Sequence, residues 1–149
     1  MNTAIVYYSK HHGNTKKLVD AIAREYDVTA IDVAQNPCPD LTGYTLIGLA
    51  SGIYYSKFHK SLLNIAETLP RGKKVFLLYT YGAKKDTYTR AIREAAAKSY
   101  ARVVGEYGCF GFDTFGPFRL IGGMAKGHPN QDELRGAVSF FEGIPKLPK

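Results

Sequence analysis

Along this chain, short apolar runs alternate with stretches in which apolar residues return every three or four positions. Ala4 to Tyr8 form a run suited to a strand buried on both faces. From Thr15 the apolar positions Leu18, Val19, Ile22 and Ala23 recur at helical spacing. "DVTAIDV", with Val28, Ala30 and Val33, reads as a second strand, and "NPCPD" then breaks the chain. Tyr44 to Ala50 and Lys74 to Thr80 predict the third and fourth strands. Between them, Phe58, Leu62, Ile65, Ala66 and Leu69 draw a helical stripe that stops at Pro70. Tyr88, Ile92, Ala95, Ala96 and Ser99 draw another, and "ARVVGEYGC" supplies a fifth strand. Asn130 is placed to cap a last helix, with Asp132 and Glu133 in its first turn and Leu134, Ala137, Val138 and Phe141 along it.

Strand and helix alternate from end to end, which implies parallel strands joined by right-handed crossovers in a three-layer α/β/α sandwich. At 149 residues the expectation is a single domain spanning 1–149. Ligands of such sheets bind beyond the carboxyl ends of the strands, where the strand order reverses. The segments to examine are therefore 9–14, 51–58, 80–87 and 109–129, read here as loops. All are rich in glycine, hydroxyls and aromatics.

Composition changes the picture little. Hydrophobic residues make up 45% and charged residues 22%, an ordinary globular balance. No apolar run approaches a membrane span, and the first residues lack a basic segment followed by an apolar one. A soluble, cytoplasmic protein without a membrane partner is expected. Cys38 and Cys109 lie far apart, without metal-type spacing, and read as free thiols. The net charge of +7 raises the question of nucleic acid, but the lysines and arginines are scattered and no RNA-binding motif surrounds the aromatics. A solvated basic surface is the simpler reading, and an acidic protein partner fits about as well.

The first loop, "SKHHGNT", carries the chemistry. A loop entering a helix N-terminus exposes backbone N–H groups and the positive end of the helix dipole. Gly13 allows close approach, while Ser9, Asn14 and Thr15 add hydrogen-bonding side chains. This is a natural phosphate site. It has neither the three glycines of a dinucleotide-binding turn nor the G-x-x-x-x-G-K-[ST] of a P-loop, and no cysteine nucleophile is near. His11 and His12 lack a neighbouring carboxylate or thiol and make a poor metal site. They read as phosphate donors or as exposed side chains.

"YYSKHHGNT" resembles the FMN phosphate-binding loop of the flavodoxins. "LIGLASGIYYSKFHKSLLNI" resembles the family's third strand and the ring-binding segment after it, and "FLLYTYGA" stands where its second ring-binding loop follows strand four. "GFDTFGPF" and "GGMAKGHPN" are also similar to stretches of short flavodoxin-like proteins, so the resemblance spans essentially the whole chain. It implies a five-stranded parallel sheet of order 2-1-3-4-5 and FMN as cofactor. The phosphate would lie on Ser9, Lys10, His11, His12, Gly13, Asn14 and Thr15, and the ring against Ser51, Gly52, Ile53, Tyr54, Tyr55, Thr80, Tyr81 and Gly82. Which of Tyr54, Tyr55 and Tyr81 touches the ring stays open. Two departures stand out: Lys10, His11 and His12 replace the usual hydroxyls in a loop one residue longer, and the chain is basic where flavodoxins tend to be acidic.

The segment from Gly108 to Asn130, with Phe110, Phe112, Phe115 and Phe118, is too aromatic to be disordered. It either covers the flavin or packs on the sheet as an extension. The family implies a monomeric carrier that shuttles electrons between redox partner proteins, here ones with acidic surfaces, with no catalytic residue and no metal of its own. The alternative is an FMN-dependent NAD(P)H reductase of quinones or similar acceptors. A third possibility is a module that keeps the phosphate pocket without the flavin.

Overall fold

The computed structural model of the chain describes residues 2–10, 13–112, 123 and 125–145. Its elements, in chain order, are β1 (Thr3–Tyr8), α1 (Asn14–Glu25), β2 (Thr29–Asp32), β3 (Leu46–Tyr54), β4 (Lys57–Phe58), α2 (Lys60–Glu67), β5 (Lys74–Tyr81), α3 (Arg90–Lys98), β6 (Arg102–Phe110) and α4 (Gln131–Gly143). The long strands pair in parallel in the order β2-β1-β3-β5-β6. With the two-residue β4 set aside, this is the expected order of second, first, third, fourth and fifth strand.

Successive side chains of a strand point to opposite faces, and the apolar runs divide accordingly. Ala4 and Val6 of β1 join Ile47, Leu49, Val75 and Leu77 under Leu62, Ile65, Ile92 and Ala95 of α2 and α3. Ile5 and Tyr7 join Phe76 and Leu78 under Leu18, Val19 and Ile22 of α1 and Ala137 and Phe141 of α4. Because both faces are covered, the strands read as continuous apolar runs rather than alternating ones. On α4, Asn130 accepts from the Glu133 N–H at 2.9 Å while the Glu133 carboxylate accepts from the Asn130 N–H at 2.8 Å, a complete capping box.

The main correction concerns segment 51–58. It is not a loop: β3 continues to Tyr54 and folds back on β4, with Ile53 opposite Phe58 and Tyr54 opposite Lys57. Tyr55 and Ser56 form the two-residue turn, at φ 51° and 66°. Two positive φ values match the turn type that suits a tight hairpin, ordinarily filled by Asn-Gly. For residues with a Cβ this conformation costs about 1 kcal/mol or more each. No glycine or asparagine marks this turn, so the hairpin left no signal in the residue pattern. Phe58, read as the start of a helical stripe, sits instead on β4, and Leu69 lies beyond the end of α2; both are buried all the same.

Gly48 shows how tightly the sheet is built. A Cβ there would lie 2.5 Å from the ring of the fully buried Phe76. Gly48→Ala is expected to lower stability by about 1–3 kcal/mol through overpacking. That appears as a fall in Tm of about 2–4 °C per kcal/mol in thermal unfolding, and an unchanged Tm would contradict the packing described.

Candidate functional site

A crevice opens at the carboxyl edge of the sheet, where the strand order reverses between β1 and β3. It is lined by Ser9, Asn14, Thr15, Gly52, Ile53, Tyr54, Thr80, Tyr81, Gly82, Gly111 and Phe112. Five elements thus meet around it: the ends of β1, β3, β5 and β6, and the N-terminus of α1.

At its floor, α1 starts at Gly13, which adopts a left-handed φ of 65° and has no side chain to cap the helix. Ser9 supplies the missing cap, its Oγ accepting the Lys16 N–H at 3.0 Å. The Lys17 N–H goes to the Gly13 carbonyl at 3.2 Å. By helix geometry, the first amides, those of Asn14 and Thr15, are directed out of the helix end. The first turn carries no acidic residue. The dipole therefore meets no competing negative charge there, and an anion is favoured.

Two side-chain contacts tie this helix end to distant strands. Thr15 Oγ1 and Thr80 Oγ1 share a buried hydrogen bond of 3.0 Å. Asn14 Nδ2 donates to the Phe112 carbonyl at 2.7 Å. Gly111 is required for that approach, since a Cβ would fall 2.8 Å from Asn14 Nδ2. The Nδ2 contact fixes the amide orientation, and Asn14 Oδ1 is buried with no hydrogen-bond partner among the described residues. A buried acceptor of that kind costs free energy until a donor reaches it.

The walls are aromatic. Tyr54 meets Tyr8 edge-on at 5.8 Å between centroids and His59 edge-on at 5.2 Å. His59 in turn lies flat on Tyr8, at 3.6 Å and 7° between planes. It also caps α2, where Nδ1 accepts the Ser61 N–H at 3.1 Å, so the neutral ring carries its proton on Nε2. Burial first, and then the charges of Lys60 and Lys10, hold the His59 pKa below its ordinary value. Across the crevice, buried Tyr81 packs edge-on against Phe110 at 5.0 Å and beside Tyr88 at 5.8 Å. Burial raises the Tyr81 pKa, which keeps the phenol neutral. Nearby Cys109 is pushed up to about 12, mainly by burial and then by the Glu133 carboxylate, so its thiol is no nucleophile at neutral pH.

A phosphate-type helix end and two aromatic walls at the switch point of a 2-1-3 sheet agree with what comparison with known proteins shows. The model of the flavodoxin domain matches residues 5–116. The chain belongs to the flavodoxin-domain family. An uncharacterized protein of Methanocaldococcus jannaschii is 34% identical over 149 residues, covering 98% of this chain and 99% of that one. Among solved structures, a flavodoxin from the domain Archaea superposes with a TM-score of 0.62 at 19% identity, covering 95% of this chain and 98% of that one. The general stress protein 14 of Treponema denticola, solved in complex with FMN, gives 0.67 at 12% identity, covering 97% and 100%.

Within this flavodoxin domain the residues singled out by sequence divide by role. Ser9, Asn14, Thr15, Gly52, Ile53, Tyr54, Thr80, Tyr81 and Gly82 meet at the crevice. Gly13 shapes the turn beneath it, and Lys10 is exposed beside it. Ser51 is fully buried and works inward, its Oγ donating to the Gly52 carbonyl at 2.5 Å and accepting the His59 N–H at 3.0 Å. Tyr55 stands outside the crevice and is 82% exposed. His11 and His12 lie outside the described residues, as do Phe115 and Phe118 of the long segment. Gly111 and Phe112, which sequence reasoning left outside the FMN-contacting set while reading their segment as covering the flavin or packing on the sheet, also line the crevice. Their only signal was their place just after a strand at the same sheet edge.

The His59 arrangement fixes a pH dependence. A folded-state pKa below the unfolded value means that the unfolded chain takes up the proton first. The contribution of His59 is complete above the unfolded value near 6.5 and is lost as pH falls below it. Between pH 7.5 and 5.5 the Tm of the protein is expected to decline more than that of His59→Asn, which keeps a capping oxygen but does not titrate. Parallel slopes in the two melts would contradict this.

Proposed function

We propose that the crevice binds FMN and that the protein carries electrons between protein partners with acidic surfaces. The observation that carries this reading is the pairing of an acid-free helix N-terminus at one end of the crevice with Tyr54 and Tyr81 at the other. The Asn14 and Thr15 amides suit a phosphate, which offers only acceptors at neutral pH. The unpartnered Asn14 Oδ1 calls for a donor, which a ribityl hydroxyl provides. The two tyrosines offer flat apolar surface to an isoalloxazine ring and exclude water from it. The residues thus fit FMN at both ends. Bound FMN supplies the one- and two-electron chemistry, and the protein supplies binding, orientation and electrostatics.

Partner preference follows from charge. Lys10, Lys57, Lys60, Lys84, Lys85 and Lys126 are exposed in the segments around the crevice, and among the described residues none of them is in an ion pair. Such a rim favours an acidic partner and speeds encounter at low salt. Two unpaired cysteines suit a reducing, cytoplasmic setting.

The apoprotein is expected to bind FMN at least 100-fold more tightly than riboflavin in a fluorescence titration. Equal affinities would remove the phosphate role of the α1 N-terminus. The holoprotein is expected to leave NAD(P)H unconsumed with or without a quinone; rapid consumption would make it a reductase instead of a carrier. The rim also tunes the potential. A cation at about 8 Å, with an effective dielectric constant of about 40, is worth about 1 kcal/mol, or on the order of 40 mV for a one-electron step. Replacing Lys84 and Lys85 with glutamine should lower the potential of the final reduction step by tens of millivolts in a spectroelectrochemical titration. An unchanged potential would place these charges out of range.

A further inference from the structure

We infer that the β3–β4 hairpin is a docking anchor, with Tyr55 at its tip inserting into an acidic surface of the redox partner. This rests on the carrier reading above and adds to it the residue on which the partner grips. Three independent observations converge on Tyr55. Its ring is 82% exposed, the most exposed large hydrophobic side chain among the described residues. Its backbone sits at φ 51° in a turn where asparagine or glycine would be unstrained. Its neighbours along the hairpin and its exit, Lys57 and Lys60, are exposed cations without an ion pair among the described residues.

Neither the exposure of Tyr55 nor its positive φ favours the folded state. A strained, solvent-exposed aromatic in a two-residue turn works against the folded state in two ways: through its backbone and through the apolar area left in water. The same residue suits an interface. Tyrosine is enriched at binding hot spots because it brings a large rigid surface and a polar tip with few torsions to freeze.

The hairpin also stands beside the site of electron exchange. Tyr54, the preceding residue, lines the crevice and packs against Tyr8 and His59, so the tip is mounted on a braced aromatic cluster. The crevice-side segments 9–10, 54–60, 82–87, 111–112 and 125–130 hold six lysines against a single acid, Asp86. That imbalance selects an acidic partner over a neutral or basic one. The lysines would govern encounter and the tyrosine residence, the usual division between rim charges and a buried anchor.

The test uses the FMN-loaded protein with two probes of opposite charge: a reduced plant-type [2Fe–2S] ferredoxin as acidic electron donor and, as basic control, an oxidised c-type cytochrome that takes electrons from the pre-reduced protein. Stopped-flow mixing gives the second-order rate constant against salt. For the unaltered protein the cytochrome reaction is expected not to slow between 50 and 500 mM salt, and the ferredoxin reaction to slow about tenfold. Lys57→Glu should slow it at low salt and flatten the salt dependence. Tyr55→Asn should slow it several-fold at every salt concentration, leave FMN affinity within twofold, and leave Tm equal or higher because the turn strain is relieved. A Tyr55→Asn protein that reacts as fast as the unaltered one overturns the anchor and leaves the carrier reading standing. A fall in Tm assigns Tyr55 to the fold, and a loss of FMN affinity assigns it to the flavin site; either overturns the proposal. An unaltered protein that accepts no electron from ferredoxin removes the carrier reading and the anchor together.

Discussion

Parallel strands cannot be joined by tight turns, so every crossover in this protein leaves its strand at the same edge of the sheet. That constraint gathers residues from positions 9 to 112 into one crevice. The reversal of strand order between β1 and β3 opens the gap, and α1 closes its floor with its positive end upward. Everything chemical about the site follows from holding that helix end in place. Ser9 replaces the cap that Gly13 lacks, Thr15 is tied to Thr80, and Asn14 is tied to the Phe112 carbonyl. Each contact leaves the helix end itself directed at the crevice.

The aromatic side chains do two jobs that the topology keeps apart. Deep in the sheet, Phe76 fills the space left by Gly48 and locks neighbouring strands at close range. At the edge, Tyr8, His59 and Tyr54 form one braced cluster, and Tyr81, Tyr88 and Phe110 another. In the second group burial raises the pKa of Tyr81, and the first is held by a histidine that must stay unprotonated to cap α2. The crevice walls are therefore aromatic and uncharged, while the exposed charge of the segments around them is mostly lysine.

The layer architecture was legible because strands buried on both faces produce unbroken apolar runs such as Ala4–Tyr8 and Lys74–Thr80, and amphipathic helices produce stripes between them. The last helix was legible down to its cap, since Asn130 and Glu133 stand at the spacing of a capping box. The crevice was legible as three segments at one sheet edge, although the middle one is a hairpin and not a loop. What the pattern hid was the β3–β4 hairpin, because its turn uses Tyr55 and Ser56 in a conformation that neither residue advertises. It also hid the inward role of Ser51, since a serine that binds backbone looks the same in sequence as one that binds a ligand. The specific part played by Gly111 and Phe112, in a segment that was legible only as a cover or an extension, was hidden for a third reason. Their role depends on a contact with Asn14 across 98 positions, which no local pattern records.

That long-range contact has a consequence for the stability of the chain. The Asn14 side chain has its partner only once β6 has docked on β5 and carried Phe112 to the sheet edge. Closing a contact between residues so far apart in sequence carries a loop-closure entropy cost that the docked strands must offset. The crevice thus has its floor and its far wall together only where β6 is docked, and a ligand that needs both binds only that state. Occupancy by such a ligand therefore couples the docking of β6 to the stability of the whole.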